Sequence, residues 1–338
     1  MKVLISSAGR RNYIVEYFQQ TLGNKDNVIV VNSIENTSAM FTASVRFIAP
    51  PVSSDEYIPF LLNICKSNNI KLFLSLFDQD LMKISRHKQD FFDNDIIPAV
   101  SDSRVIETTF DKVKFSEFLN DIDLLSPKIY KNDESFPTKI KSNSELFPLF
   151  LKPRWGTGSI ATEIVNNKDD FSAFLDYLNR KLQNSYINNI TCLSLSNEIL
   201  IQQFIPGDEY NLDVINDLNG NYVTTFAKRK YAMRSGETDV AETVADPDLI
   251  EIGKKLGKEL KHVGLLDVDI IKSPGGEYFI IDANPRFGGG YPFSHAAGAN
   301  IPACYLNWAI KKLPEPEWLT IKPKVISVKG IKILSRCL

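Results

Sequence analysis

Residues 264–290 hold the densest group of side chains able to do chemistry. Gly264-Leu-Leu-Asp-Val-Asp-Ile-Ile and Tyr278-Phe-Ile-Ile-Asp-Ala-Asn-Pro-Arg flank the turn Ser273-Pro-Gly-Gly. β-Branched and aromatic residues dominate both halves, so the pattern predicts a β-hairpin. Alternation along a strand then puts Asp267 and Asp269 on one face of its first strand. Asp282 and Asn284 share a face of the second. Three or four hard oxygen ligands held this close suit Mg²⁺, which takes one or two carboxylates and leaves its other positions to water and phosphate. Arg286 follows directly, where it could neutralise charge on a transferring phosphoryl group. A solvated acidic hairpin is the alternative. Acids set among Ile, Val and Phe argue against it, because burying an unpaired charge is costly.

Other candidates lie upstream. The apolar run 147–151 ends in Lys152 and is followed by Pro-Arg-Trp-Gly156-Thr157-Gly158-Ser159. Two glycines let the backbone approach an anion and offer N–H groups to phosphate oxygens. The run is not a Walker A motif, since no Gly-Lys-Ser/Thr follows at the required distance. Lys112 falls in the first turn of an amphipathic helix over 110–119, where the helix dipole disfavours a cation unless a phosphate shares the site. Arg10 and Arg11 follow the first strand, and Asp78 and Asp80 follow the fourth. These are the positions where open parallel sheets bind ligands. Helix capping by the acids and solvation of the arginines are the plainer readings. His295, a lone histidine, reads as a structural hydrogen-bonding residue.

The C-terminal hairpin resembles the metal-binding hairpin of the ATP-grasp superfamily, in which a carboxylate about 13 residues ahead of a (Glu/Asp)-x-Asn-Pro-Arg run completes the site. Asp269 and Asp282 have that spacing. Asp282 stands where Glu is commoner, and its shorter side chain implies one firmly held metal. The resemblance extends through most of the chain and is to the carbamoyl-phosphate synthetase large-subunit-like members. It implies metal ligation by Asp269, Asp282 and Asn284, with Mn²⁺ able to replace Mg²⁺. It implies phosphate contacts from Lys112, Lys152 and the lid residues Gly156, Thr157, Gly158 and Ser159. The adenine slot falls at Gln202, Gln203, Phe204 and Ile205, and Glu209 takes the ribose. Lys228 or Lys230 is assigned to the phosphates, with Lys228 and Arg286 as catalytic residues. Arg234 is assigned to a substrate carboxylate, with Arg10 and Asp78 on the acceptor wall. The implied activity is an ATP-dependent carboxylate–amine ligase working through an acyl-phosphate and releasing ADP and phosphate. A nucleotide-binding sensor or partner subunit is the alternative. The NAD-linked reading of the N-terminal sheet is weakened by the missing GxGxxG fingerprint.

The elements that must position these residues alternate β and α over the first hundred positions, with strands at 3–6, 28–31, 47–49, 72–75 and 96–100. The expected class is α/β and α+β. A Rossmann-like parallel sheet, the pre-ATP-grasp domain, spans 1–105 and precedes a two-lobed ATP-grasp fold. A linker helix and small lid lobe occupy 106–195, a catalytic lobe 196–313, and closing strands 314–338. With 338 residues the chain can bury a large core, and 43% hydrophobic with 24% charged residues is ordinary for a soluble enzyme. A formal charge of −2 gives no general attraction to nucleic acid or anionic membrane. The expected partners are therefore small-molecule carboxylate and amine substrates, and a homodimer stays open. Cys65, Cys192, Cys304 and Cys337 have no zinc or CxxC spacing, which fits a reducing compartment. The apolar N-terminal neighbourhood is too short for a signal peptide, and no run is long enough to span a bilayer. The expected location is cytoplasmic.

Overall fold

The computed structural model describes residues 1–130, 136, 146–156, 161–184, 199–234 and 236–335. Its first sheet contains β1 (Lys2–Ser6), β2 (Val28–Asn32), β3 (Val45–Ile48), β4 (Ile70–Ser75) and β5 (Ile97–Pro98), in the order β3-β2-β1-β4-β5. The pairings are parallel. Runs such as Val3-Leu-Ile and Val28-Ile-Val-Val are fully buried because helices cover both faces, and each face has its own apolar cluster. Strand order reverses between β1 and β4. The loops after these two strands therefore diverge and leave a crevice at their carboxyl ends. Arg10, Arg11, Asp78 and Asp80 all follow those ends. β5 is shorter than the sequence suggests, since Pro98 lacks a donor and sits in an edge strand.

The second sheet is small: β6 (Ile129–Tyr130), β7 (Leu149–Pro153), β8 (Glu163–Val165) and β9 (Ile199–Gln203), ordered β6-β9-β7-β8. The helix Lys168–Gln183, capped by Asn167, packs Phe171, Leu178 and Leu182 into its core. The third sheet contains β10 (Asp208–Asn216), β11 (Tyr222–Arg234), β12 (Glu237–Val244), β13 (Leu265–Lys272), β14 (Tyr278–Asn284) and β15 (Ile326–Val328). Its order is β14-β13-β10-β11-β12-β15, with every pairing antiparallel. Leu249, Leu256 and Leu260 of the helix Pro247–Leu260 seal one face. The opposite face carries the polar residues described below.

Two elements differ from the sequence reading. The helix expected over 110–119 starts two residues later, at Lys112–Asp121, and Asp111 separates it from the preceding helix Ser103–Phe110. Asp111 leaves helical geometry so that its carboxylate can accept from the Val113 and Lys114 amides. Among the described residues only β15 of the closing strands forms. Ile331 and Ile333 are 84% and 90% exposed, so no packing favours a further strand there.

Candidate active site

The hairpin β13–β14 places Asp269 opposite Asp282 and Asp267 opposite Asn284. Four oxygen-bearing side chains therefore form a two-by-two array on one sheet face. β10 extends the array, because Asn211 pairs with Asp269 and Asp213 with Asp267. The Asn211 amide donates to Asp267 Oδ1 at 2.8 Å, to Asp269 Oδ1 at 3.0 Å and to the Val268 carbonyl at 3.1 Å. The glycine run after Arg286 lies directly against these groups. A Cβ on Gly288 would sit 2.0 Å from the Asp267 carboxyl carbon, and one on Gly290 2.1 Å from Asn211 Oδ1. Only glycine lets the backbone close over the carboxylates at this distance.

Four cations converge on the array. Lys230 Nζ is 2.7 Å from Asp269 Oδ1 and 3.5 Å from Glu209 Oε2. Burial alone would lower the Lys230 pKa, but Asp269 raises it above the ordinary lysine value. Asp269 is lowered in turn, Lys230 outweighing its desolvation. Asp267 is pushed up to about 6 by burial and by the neighbouring Asp269 charge. Arg286 donates Nε and Nη2 to the two Asp78 oxygens at 3.0 and 3.2 Å, and its Nη1 is 3.7 Å from Asp267 Oδ2. Lys112 donates to the Gly156 carbonyl at 2.9 Å and stands 3.8 Å from Asp282 Oδ1. Lys152 donates to the Ile281 carbonyl at 3.1 Å, and burial followed by the Lys112 charge brings its pKa down to about 7. The lid base is anchored to the same corner, since Arg154 makes a two-pronged pair with Asp111 at 2.8 Å.

Lys230, Arg286 and the array border a cleft of about 810 Å³ that runs from Glu209, Lys230, Asp269 and Asp282 to Arg10, Arg11, Glu237 and Thr238, while Lys112 and Lys152 stand behind its wall. It is thus walled by the first sheet on one side and the third on the other. Asp269 and Asp282 face each other on its wall, which fits a hard divalent cation sharing protein carboxylates with phosphate and water. Among the described residues no three His, Cys, Asp or Glu side chains could enclose a metal ion by themselves. A site completed by nucleotide oxygens needs no such cage.

The other expected positions divide into several groups. Glu209, Arg10, Asn284 and Arg286 line the cleft. Lys228 does not: it is fully buried beneath it, paired with Asp213 and 3.1 Å from Ser294 Oγ. Of the two lysines, Lys230 borders the cleft and Lys228 does not. Asp78 is 6% exposed, paired with Arg286 and not on the cleft wall. Arg234 does not line the cleft and is bound to Asp239 at 2.6 Å. Asp80 is sealed in a hydroxyl cage of Ser6 and Ser75 at 2.5 and 2.7 Å. None of Gln202, Gln203, Phe204 and Ile205 borders the cleft among the described residues; Gln202 and Ile205 are buried and Gln203 is exposed. Thr157, Gly158 and Ser159 lie outside the described residues. His295 stacks on Tyr17 with ring centroids 3.7 Å apart. Asn211 and Asp213 escaped the sequence reading, although polar residues two apart in the otherwise apolar Tyr-Asn-Leu-Asp-Val-Ile carry the signal of a strand with one functional face.

A family model described as the PylC-like N-terminal domain matches residues 3–100, and a model described as ATP-grasp in the biosynthetic pathway with Ter operon matches residues 196–332. Residues 196–332 thus match an ATP-grasp domain. The carbamoyl phosphate synthase large chain of Clostridium botulinum (strain Alaska E43 / Type E3) is 22% identical over 337 residues, covering 93% of this chain. The chain spans 29% of that relative's length. Among solved structures, the biotin carboxylase domain of Hydrogenobacter thermophilus 2-oxoglutarate carboxylase, in complex with MgADP, ADP and bicarbonate, superposes with a TM-score of 0.73 at 15% identity. The alignment covers 96% of this chain and 73% of that one. An L-amino acid ligase from Bacillus licheniformis gives 0.71 at 18% identity, covering 98% and 82%. No helix among the described residues is long and apolar enough to cross a membrane.

Proposed function

We propose that the chain is an ATP-dependent ligase that activates a carboxylate as an acyl-phosphate and transfers the acyl group to a nucleophile, most simply an amine. A substrate carboxylate oxygen attacks the γ-phosphorus, the bond from that phosphorus to the bridging oxygen breaks, and ADP leaves. The amine nitrogen then bonds to the acyl carbon, losing a proton, while the carbon–oxygen bond to phosphate breaks and phosphate departs. The observation that carries this reading is the two-by-two array of Asp267, Asp269, Asp282 and Asn284, ringed by Lys112, Lys152, Lys230 and Arg286. Phosphoryl transfer asks mainly for positioning and charge neutralisation, which this set supplies without a covalent nucleophile.

Mg²⁺, with Mn²⁺ as a possible substitute, would be held by Asp269, Asp282 and Asn284 and would screen the phosphate charge. Lys112 and Lys152, on the Gly156 side, would hold phosphate oxygens. Glu209, at the cleft mouth beside Lys230, is the ribose candidate, and the backbone of 203–205 would take the adenine edge. Arg286, its fork fixed by Asp78, is aimed along the array rather than free to swing, which favours charge stabilisation over capture.

The test is ADP release in the presence of Mg²⁺ across a panel of carboxylic acids paired with amines and amino acids, with product masses recorded. A product weighing one water less than its two precursors, formed together with stoichiometric ADP, is expected. Asp282→Asn should weaken Mg²⁺-supported ATP binding and leave the fold intact, since Asp282 is partly exposed. Unchanged metal dependence in that variant would remove the metal assignment.

A further inference from the structure

The end of the cleft farther along from Glu209 has a charge balance that the nucleotide does not explain. The loop after β1 carries Arg10 and Arg11, and β12 opposes them with Glu237. Arg11 is fixed: its Nη1 donates to the Leu76 carbonyl at 2.7 Å, and Glu237 Oε1 stands 3.9 Å from its Nε. Arg11 Nε is nevertheless buried without a hydrogen-bond partner. Lys329 Nζ reaches Glu237 Oε2 at 3.3 Å and lies over the Tyr13 and Phe293 rings. Glu237 is thus shared by Arg11 and Lys329, and with the more distant Arg10 they overcome its desolvation and hold its carboxyl below the usual carboxylate range. No acidity remains there for a substrate ammonium. Arg10, on the cleft wall, is exposed and has no side-chain partner among the described residues. Three cations against one carboxylate leave this end with a surplus of positive charge.

The loop is not a loose surface turn. The Ser7 amide donates to Val31 O at 2.8 Å, the Gly9 carbonyl accepts from Ala39 N at 3.1 Å, and Gly9 itself holds φ +54 in a left-handed turn that glycine accepts without strain. A pinned loop presents its arginine at a fixed place, which limits the ordering entropy a ligand must overcome.

We infer that the Arg10–Arg11 end of the cleft receives a second anionic group of the acceptor substrate, a carboxylate or a phosphate ester distinct from the reacting carboxylate. The acceptor is then a dianion, its reacting carboxylate toward Arg286 and the metal ligands and its second anion toward Arg10. Arg10 supplies the open fork, while Arg11, tied to Leu76 and Glu237, sets the local potential. This rests on the ligase reading for the orientation of the substrate but concerns a different end of the cleft.

Calorimetric titration separates the two. A non-hydrolysable ATP analogue with Mg²⁺ is titrated first, and matched pairs follow onto the complex: L-glutamate against L-glutamine, and O-phospho-L-serine against L-serine. The anionic member of at least one pair should bind tenfold or more tightly, as expected for a charge-assisted contact of about 1.5–3 kcal/mol. The pair that shows the advantage tells carboxylate from phosphate. Arg10→Ala should abolish that advantage, and Arg10→Lys should keep part of it. Equal behaviour of both members, absence of binding included, overturns the inference, as does an advantage that survives in Arg10→Ala. Failure of the ATP analogue to bind would instead strike the ligase reading.

Discussion

Lys228 and Lys230 lie two residues apart on β11, on the same face of the same strand, and each meets an aspartate. Their surroundings differ. Lys228 and Asp213 are both fully buried, with Ser294 Oγ completing the cluster at 2.5 Å from Asp213. Lys230 is nearly as enclosed, but its partner Asp269 keeps 29% of its side chain open to the cleft. One pair is sealed and satisfied within the protein. The other is sealed on the lysine side and open on the carboxylate side, so an incoming metal or phosphate can exchange with it. The same residue type thus forms one sealed pair and one open pair on a single strand.

The largest effect expected from this contrast is on stability. Lys228→Met strands Asp213 in the core, and loss of one partner of a buried ion pair costs about 3–5 kcal/mol. Urea denaturation should show that loss, and replacing Asp213 with Leu in the same chain should recover most of it. If Lys228→Met instead left stability intact and abolished turnover, Lys228 would belong to the chemistry.

Arg286 sharpens the contrast from the side of rate. Its fork is occupied by Asp78, so Arg286→Met would strand two carboxylates and confuse stability with catalysis. Arg286→Lys keeps the charge and loses the planar fork. A fall of about a hundredfold in ADP release is expected, comparable to losing one oxyanion donor, with ATP affinity changed far less. Equal loss of affinity and rate would make Arg286 a binding residue.

Much of this was readable in the sequence, and the limits have a physical cause. The spacing of Asp267, Asp269, Asp282 and Asn284 follows from strand alternation alone, so the hairpin and its acidic face needed no tertiary information. Which of two lysines on one face reaches the cleft depends on where the helix Tyr291–Ala296 brings Ser294, and local pattern carries no trace of that. Asp78 has the same limitation: its partner lies 208 residues away. Asp111 could be placed near a helix start, but its pairing with Arg154, 43 residues away and just past β7, could not.

Lys230→Met tests the open pair. Asp269 retains solvent access, so the stability cost should stay near the surface-pair value of about 1 kcal/mol or less. Affinity for a Mg²⁺-bound ATP analogue should fall by about tenfold or more, the worth of one charge-assisted contact. Calorimetry on the folded variant measures it. A stability loss matching that of Lys228→Met, with affinity unchanged, would erase the distinction between the two lysines.

A third way of keeping a titratable group inside this protein is to leave it uncharged, and His262 does so. It is fully buried, Nε2 lies 3.1 Å from the Val214 carbonyl, and desolvation brings its pKa down to about 4 from an ordinary 6.5. Between those values the unfolded chain binds a proton that the folded chain refuses, so stability rises with pH through the window and falls as pH drops from 6.5 toward 4. At pH 5.5 this one group should have withdrawn about 1 kcal/mol relative to pH 7. His295, also lowered to about 4 by burial, acts in the same direction and sets a background that remains in any His262 variant. His262→Gln keeps an amide donor for the Val214 carbonyl and cannot titrate. Its stability should therefore change less between pH 7 and 5.5 than that of the parent, by about 1 kcal/mol in urea denaturation. Identical slopes in the two proteins would mean that His262 takes up its proton in the folded state as readily as in the unfolded one. Burial at that position would then tolerate a charge, and the neutral solution would have to be withdrawn.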